Sequence, residues 1–223
     1  MRRFWQRRWE TTSPFVAAAA CEALAAAGEE PEPFAQYLRD TREPDGSWMF
    51  DPSGRRWPPD ADTTSCAVAA LVDGAEIVRR IVATQPDPDD GLVRPWLLWH
   101  EGATERMDRN ASDAIVTANV IFAAERVGED ASALRDALER HLATRAVKTV
   151  YYDSPSLQAY YFARAGIAGD HAARPVERIV AEQQPDGTWP ATRWFTDPAR
   201  YVWQSRTFST ALAVEALALA TRR

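Results

Sequence analysis

Three turns of related sequence recur along the chain, and this repeat constrains the fold more than any other feature. The copies are Glu43-Pro-Asp-Gly-Ser-Trp48, Gln85-Pro-Asp-Pro-Asp-Asp-Gly91 and Gln184-Pro-Asp-Gly-Thr-Trp189. Their glycines, Gly46, Gly91 and Gly187, are 45 and 96 residues apart. This spacing fits a repeat of about 45–48 residues with a degenerate copy near residues 140–150, and such a period is typical of arrays of two-helix units.

Two kinds of segment alternate around these turns. Five segments are apolar on nearly all sides, as buried helices are: 14–27, 63–74, 112–127, 155–166 and 206–221. Four amphipathic stretches lie between them, at 32–42, 75–85, 132–145 and 173–184. Helices that alternate in this way form two layers. The pattern predicts an all-α fold, an α/α barrel (toroid) of two concentric helix layers, as one domain over residues 1–223. The only segment with a modest β pattern is 148–152.

The charge of the chain bears on which partners it can bind. The net charge of −6 argues against a broad nucleic-acid-binding surface. The N-terminal arm, residues 1–12, carries Arg2, Arg3, Arg7 and Arg8 beside two tryptophans. We interpret this arm as a solvated terminus, with peripheral contact to a membrane surface or a phosphate as the alternative.

The N-terminal apolar run and the cysteines predict a cytoplasmic protein. The run from Val16 to Ala27 resembles a signal peptide, but Glu22 lies inside it, so we expect a core helix. Cys21 and Cys66 lie in Ala-rich helical runs and are expected to be small buried hydrophobes without a disulfide.

The last turn carries a resemblance to a known family. Gln184-x-x-Gly187-x-Trp189 resembles the QW repeat of squalene-hopene cyclases, in the prenyltransferase/squalene-cyclase repeat superfamily. Arg42-x-x-x-Gly46-x-Trp48 is similar, with Arg in place of Gln, and 85–91 is a stretched copy without the Trp. The resemblance covers residues 13–219. It implies a barrel like the β domain of terpene cyclases, and it implies that Trp48 and Trp189 are structural.

A second resemblance concerns chemistry. Asp60-Ala-Asp62-Thr63, before the second apolar segment, is similar to the D-x-D-D general acid of class II terpene cyclases, with Thr63 at the position of the last Asp. The resemblance implies that Asp62 is the proton donor and that Asp60 shares this role. It also implies acid-initiated cyclisation or isomerisation of an isoprenoid or polyene substrate without metal or other cofactor.

The chemistry requires a carboxylic acid that stays neutral at working pH. Burial and a second nearby carboxylate both raise a carboxyl pKa, so Asp60 and Asp62 suit the role. The alternative is that one of them only caps the helix that begins near Thr63. Asp113 opens the third apolar segment, and we expect it to be a cap. The polar Asn119 within that segment is expected to join a helix pair or line a cavity.

Aromatic rings would stabilise the carbocations that such a reaction forms. The candidate substrate-binding residues near helix ends or inner helix faces are Trp57, Trp96, Trp99, Asp113, Asn119, Tyr151, Tyr160, Tyr161, Trp203 and Phe208. The alternative for each aromatic residue is an ordinary place in the core.

Asp87-Pro-Asp-Asp90 matches D-x-D-D by letter but lies in a repeated turn, so we expect a solvated turn there. The three histidines are scattered, which argues against a zinc site.

Two other functions stay open. One is a non-catalytic binding module for a prenyl or other apolar chain. The other is a glycan-active α/α-barrel enzyme that uses two of Asp60, Asp62 and Asp113. Class II cyclases place the acid between two barrel domains, so the cavity of this single domain is expected to be open, closed by the N-terminal arm, or completed by a second subunit of a homo-oligomer.

Overall fold

The computed structural model describes residues 13–26, 28–51, 58–100, 110–144, 147–152, 154–167, 176–177, 179–191, 193–196, 202–204 and 206–221. The helices with defined bounds are α1 (Pro14–Ala26), α2 (Glu32–Asp40), α3 (Ala61–Leu71), α4 (Ala75–Thr84), α5 (Ala114–Val127), α6 (Ser132–Thr144), α7 (Pro155–Arg164) and α8 (Arg206–Thr221). Residues 176–177 and 179–181 are also helical. The prediction of a helical fold is confirmed.

A short hairpin departs from the sequence prediction. Strand β1 (Arg193–Thr196) pairs antiparallel with β2 (Val202–Gln204), with a bulge between residues 193 and 195. Strands of four and three residues are too short to show a period of two, which explains why the pattern was missed. The expected β segment, 148–152, contains no strand. Its backbone instead bonds to the start of α5, where Ala114 N–H donates to the Lys148 carbonyl.

The apolar helices form a buried layer that the amphipathic helices cover. In the buried layer α1 contacts α3, α3 contacts α5, α5 contacts α7, and α7 contacts α8. Helix α2 packs on α1 and α3, α4 packs on α3 and α5, and α6 packs on α5. Helix α5 buries every residue from Ala114 to Ile121, whereas α2 buries only Ala35 and Leu38. This difference matches the two hydrophobic patterns in the sequence.

The repeated turns share one tertiary hydrogen bond. The Trp48 indole Nε1–H donates to the Leu38 carbonyl at 2.7 Å, and the Trp189 Nε1–H donates to the Ile179 carbonyl at 2.6 Å. Each acceptor lies ten residues before its tryptophan, near the end of the preceding amphipathic helix. Both rings are buried. The two tryptophans are therefore structural, and they hold each turn to the helix before it.

A second shared bond holds each turn to the next buried helix. A threonine of that helix accepts, through its Oγ1, the backbone N–H at the Trp position of the turn. The pairs are Trp48 with Thr64 at 3.0 Å, Trp189 with Thr210 at 3.1 Å, and Val93 with Thr117 at 2.9 Å in the copy that lacks the tryptophan. The turn and its threonine thus persist where the indole is absent.

We expect Trp48→Phe to lower the free energy of unfolding by about 1–2 kcal/mol, because it keeps a ring but removes the indole donor. The Leu38 carbonyl would retain only a long 3.4 Å contact from Thr41 Oγ1. Trp48→Ala should cost about 3–5 kcal/mol through the lost packing. Urea unfolding measures both changes.

Trp99→Phe is the matched control, because it also removes an indole bond but from a half-buried site that water can reach. Its cost should be smaller than that of Trp48→Phe. Equal costs for the two variants would contradict a structural role for the Trp48 bond.

Candidate active site

The predicted acid pair lies where a buried helix begins between two fixed loops. Asp60 is the N-cap of α3, and its Oδ1 accepts the Thr63 N–H at 2.6 Å. The Asp60 N–H donates to the Trp48 carbonyl at 3.2 Å, and the Ala61 N–H donates to the Pro95 carbonyl at 2.7 Å. The first repeated turn and the loop at 95–97 therefore fix the position of the carboxyl groups.

A pocket of about 500 Å³, counting its open mouth, reaches the pair. Most of its wall is apolar or aromatic, and the acidic groups are Asp60 and Asp62. Its aromatic side chains are Phe15, Phe50, Trp96, Tyr151 and Tyr152. A concave apolar pocket with a few convergent polar groups is the usual form of a small-molecule site.

Asp62 is not a helix cap. Its Oδ1 accepts the Asn119 Nδ2–H at 2.5 Å, and its Oδ2 accepts the Tyr152 hydroxyl. The first bond joins α3 to α5. Asn119 therefore joins a helix pair, which is one of the two roles expected of it. Because both oxygens accept hydrogen bonds, these contacts favour the ionised carboxylate.

Asp60 differs from Asp62 in its second oxygen. Asp60 Oδ2 is buried and has no hydrogen-bond partner. A buried carboxylate oxygen without a donor is unfavourable, whereas a neutral carboxyl can carry its proton there. Asp60 lines the pocket, so its carboxyl group adjoins any ligand that enters.

Burial shifts the titration of both groups. It raises the Asp60 pKa from 3.8 to about 7, and the negative charge of Asp62 adds to the rise. Burial also raises the Asp62 pKa, to about 6, while the bonds from Tyr152 and Asn119 oppose the rise. The pair therefore retains a proton closer to neutrality than ordinary aspartates do, and Asp62 ionises before Asp60.

Asp113 caps α5, as the sequence predicts, and does not line the pocket. Its Oδ1 accepts the N–H groups of Ile115 and Val116, at 2.8 and 3.1 Å. Its Oδ2 accepts the Val150 N–H at 2.8 Å. Burial raises the Asp113 pKa, but both oxygens are already used to hold the backbone.

Only two of the aromatic residues predicted to bind substrate line the pocket in the described part of the chain. Trp96 and Tyr151 line the pocket. Trp99 does not, because its indole donates to Asp45 and the Arg80 guanidinium lies 4.1 Å from its ring. Tyr160 and Tyr161 are buried elsewhere, around Arg164. Trp57 lies outside the described residues, and Trp203 and Phe208 are described only in their backbones, in β2 and α8.

Sequence reasoning missed the pocket residues Phe15, Phe50 and Tyr152. Phe15 begins α1, and Tyr152 lies three residues before α7, much as Asp60 immediately precedes α3. The pocket thus forms where the buried helices begin. Aromatic residues just before or at the apolar segments were the signal that could have identified two of the three.

The second D-x-D-D match lies in a turn, as expected, with its two middle residues exposed, but its outer two aspartates also form ion pairs that the sequence did not predict. Asp90 Oδ2 accepts the Lys148 ammonium at 2.9 Å and the Ser112 hydroxyl at 2.7 Å. Asp87 pairs with Arg94, with 3.1 Å between Oδ2 and Nε. Neither aspartate lines the pocket. These ion pairs lie in the copy of the turn that lacks the buried indole of the other two.

The described ranges contain neither a metal-binding cluster nor a disulfide, and no helix suited to span a membrane. No group of three or more His, Cys, Asp or Glu residues there is placed to hold a metal ion. None of the helices in these ranges has both the length and the apolar character needed to cross a membrane. Cys21 and Cys66 are buried free thiols.

A crystal structure of a protein from Actinoplanes has a similar fold, with a TM-score of 0.63 and 17% sequence identity. The alignment covers 93% of this chain and 90% of that chain. No protein family and no curated protein matches the sequence. At this identity the likeness shows the fold alone, so function has to be argued from the pocket.

The raised pKa values predict an unusual pH dependence of stability. The folded pair binds protons that the unfolded chain releases between about pH 4 and 7. The stability from the pair is thus fully present below about pH 4 and is lost as the pH rises through 6 and 7. Relative to Asp60→Asn/Asp62→Asn, the wild type should lose several kcal/mol over this range, about 1.4 kcal/mol for each pH unit by which a pKa is raised.

Urea unfolding at several pH values measures this difference, and the comparison with the variant cancels the other carboxylates. Parallel curves for the two proteins would show that the pair has ordinary pKa values.

Proposed function

We propose that this protein is a class II terpene cyclase-like enzyme that protonates an isoprenoid or polyene substrate to start its cyclisation or isomerisation. The observation that carries the proposal is Asp60 Oδ2, a buried oxygen with no partner in an aromatic pocket. The repeated turns with their structural tryptophans support it as well, since they resemble the QW repeat.

We also propose that the buried helices close into an α/α barrel around this site. Their contacts run in chain order from α1 to α8, with α2, α4 and α6 packed on them. Glu22 of α1 bonds to Arg164 of α7, and Glu215 of α8 interacts electrostatically with Glu22. The bond joins α1 to α7, and Glu215 lies near enough to Glu22 for the repulsion between them to add to the rise that burial causes in the Glu215 pKa. This proximity of α1 and α8 supports closure of the ring.

The proposed first step is a proton transfer from Asp60. The Oδ2–H bond breaks, the π electrons of a substrate double bond form the new C–H bond, and a carbocation remains on the neighbouring carbon. Asp60 becomes a carboxylate. The faces of Trp96, Tyr151 and Tyr152 then lie in the pocket, where they can stabilise the cation. The cyclised or rearranged cation then loses a proton to water at the open mouth of the pocket, and Asp60 regains a proton from solvent, which completes the cycle.

The contacts divide the roles differently from the resemblance, which implies that Asp62 is the donor. Asp62 accepts bonds at both oxygens, so its carboxylate is favoured, whereas Asp60 has a buried oxygen without a donor that can hold a proton. We therefore assign the proton to Asp60. Burial raises the pKa of Asp60, and the neighbouring charge of Asp62 raises it further.

The two alternatives lead to different expectations. A glycan-active site would need two separated carboxyl groups and several polar partners for hydroxyl groups. Asp60 and Asp62 instead lie within three residues at a mostly apolar pocket, and Asp113 is fully used by the backbone. The alternative of an apolar-chain binding module predicts ligand binding without turnover.

Substitution of Asp60 tests the proposal directly. Asp60→Asn keeps a capping oxygen for Thr63 but removes the acid, so the fold should survive. Turnover of acyclic prenyl substrates and polyenes of graded length should fall by about 10²-fold or more. Products can be followed by gas chromatography with mass spectrometry, and deuterium from D2O should enter the product once per turnover.

Asp90→Asn is the matched control, because it removes a carboxylate of the other D-x-D-D match. It should cost about 1 kcal/mol of stability by weakening the Lys148 contact and leave turnover unchanged. Undiminished turnover in Asp60→Asn would refute the assignment of the acid. Tight binding of the probes with no product in the wild type would favour the binding module.

A further inference from the structure

A buried arginine lies below the acid pair, near the end of α7. Arg164 is the only Lys or Arg that is buried among the described residues, and its side chain is 4% exposed. Its Nη1 donates to Glu22 Oε2 at 2.8 Å and to the Tyr160 hydroxyl at 3.3 Å. Its Nη2 donates to Cys66 Sγ at 3.6 Å. The guanidinium therefore joins α1, α3 and α7 inside the protein.

A chain of contacts links this guanidinium to the site. It lies 5.2 Å from the centre of the Tyr161 ring. The Tyr161 ring meets the Tyr152 ring edge-on, with 5.3 Å between centroids. Tyr152 in turn donates its hydroxyl to Asp62. One tyrosine pair thus separates the buried cation from the carboxylate.

The geometry of α3 gives a second measure of the separation. Asp62 and Cys66 are four residues apart on this helix, so their side chains lie on one face, about 6 Å apart. Since Cys66 contacts the guanidinium, Arg164 lies about one helical turn deeper than Asp62. Charges at this separation interact strongly in a protein interior because little water screens them.

Most of the ionisable groups that carry charge around Arg164 and Asp62 are acids. Asp60 and Asp62 come from the start of α3, Asp113 from the start of α5, Glu22 from α1 and Glu215 from α8. Besides Arg164, the remaining partners within the described residues are Tyr152, Tyr160, Tyr161, Cys66, Asn119 and Phe122, which are neutral. The single cation therefore cannot balance all of the acids, and the acid that it favours will ionise first.

We propose that Arg164 is a positioning residue for the acid pair: its charge favours the carboxylate form of Asp62, so that the proton of the pair resides on Asp60. Glu22 attenuates this charge and thereby sets the pH range over which the pair is singly protonated. The catalytic meaning rests on the proposed function, but the charge coupling does not.

A merely structural ion pair would be expected to complete its hydrogen bonds. Glu22 Oε1 and Arg164 Nε are both buried without a hydrogen-bond partner. Apolar residues commonly replace buried ion pairs without loss of stability. The incomplete pair is thus a weak explanation for stability and a good one for an electrostatic role. The positive charge of Arg164 also favours the ionised form of Asp62 directly.

The test measures protonation and needs no substrate. Aspartate labelled with ¹³C at the side-chain carboxyl allows each group to be titrated by NMR, and Asp60→Asn and Asp62→Asn assign the two signals. Glu22→Gln leaves the Arg164 charge uncompensated, so the midpoint of Asp62 should fall by roughly 0.5–1 pH unit. Glu22→Gln/Arg164→Met removes both charges, and because the arginine is the nearer one the midpoint should rise.

Arg164→Lys keeps the charge but not the planar fork, so its midpoint should stay closer to that of the wild type than the midpoint of Glu22→Gln/Arg164→Met does. Arg79→Met, at the exposed pair with Glu129, is the control for a distant charge and should move neither signal. Shifts of the same sign in Glu22→Gln and in the double variant, or no shift in Glu22→Gln, would overturn the proposal.

If the double variant does not fold, Glu22→Gln and Arg164→Lys decide the question. Opposite shifts in a protein that turns over no prenyl substrate would leave the coupling established and refute the proposed reaction alone.

Discussion

The hydrogen bond from the Trp48 indole to the Leu38 carbonyl is the contact on which the site depends most. It holds the first repeated turn to α2, while the Trp48 backbone bonds forward to Thr64 and to the Asp60 N–H. One tryptophan thus connects an outer helix, a turn and the start of a buried helix. The indole bond and the threonine bond recur at Trp189, but the first turn of α8 carries no acid. The repeat therefore builds the scaffold, and only the first repeated turn leads into an acid pair.

Asp60 and Asp113 are both helix caps, but their second carboxyl oxygens have different surroundings. Both cap buried helices with Oδ1, and burial raises both pKa values. They differ in Oδ2, which accepts the Val150 N–H in Asp113 and has no hydrogen-bond partner in Asp60. The backbone donor makes Asp113 a clamp between α5 and the segment before α7. Without such a donor, and beside the charge of Asp62, the second oxygen of Asp60 is suited to hold a proton.

Sequence patterns predicted the helices well because each pattern reflects local burial. The segment predicted at 63–74 forms α3 at Ala61–Leu71, and the one at 132–145 forms α6 at Ser132–Thr144. The acid pair could be singled out because only one residue separates its two aspartates in the chain, and both line one pocket. Tyr152 and Arg164 were not identified, because they meet Asp62 and Cys66 across 90 and 98 residues, and no local pattern encodes such contacts. The hairpin was missed because its strands are too short.

Stability of the fold does not explain why two carboxyl groups lie at this position. Two adjacent carboxyl groups beside an apolar pocket destabilise the folded state as soon as both ionise, and a cap alone would need only Asp60. Asn would cap α3 nearly as well without that cost. Strongly shifted titrations of this kind concentrate at functional sites, where the environment that disfavours the charge is the one that makes the acid useful. The cost to stability and the proposed role as an acid therefore have one origin, the burial of Asp60.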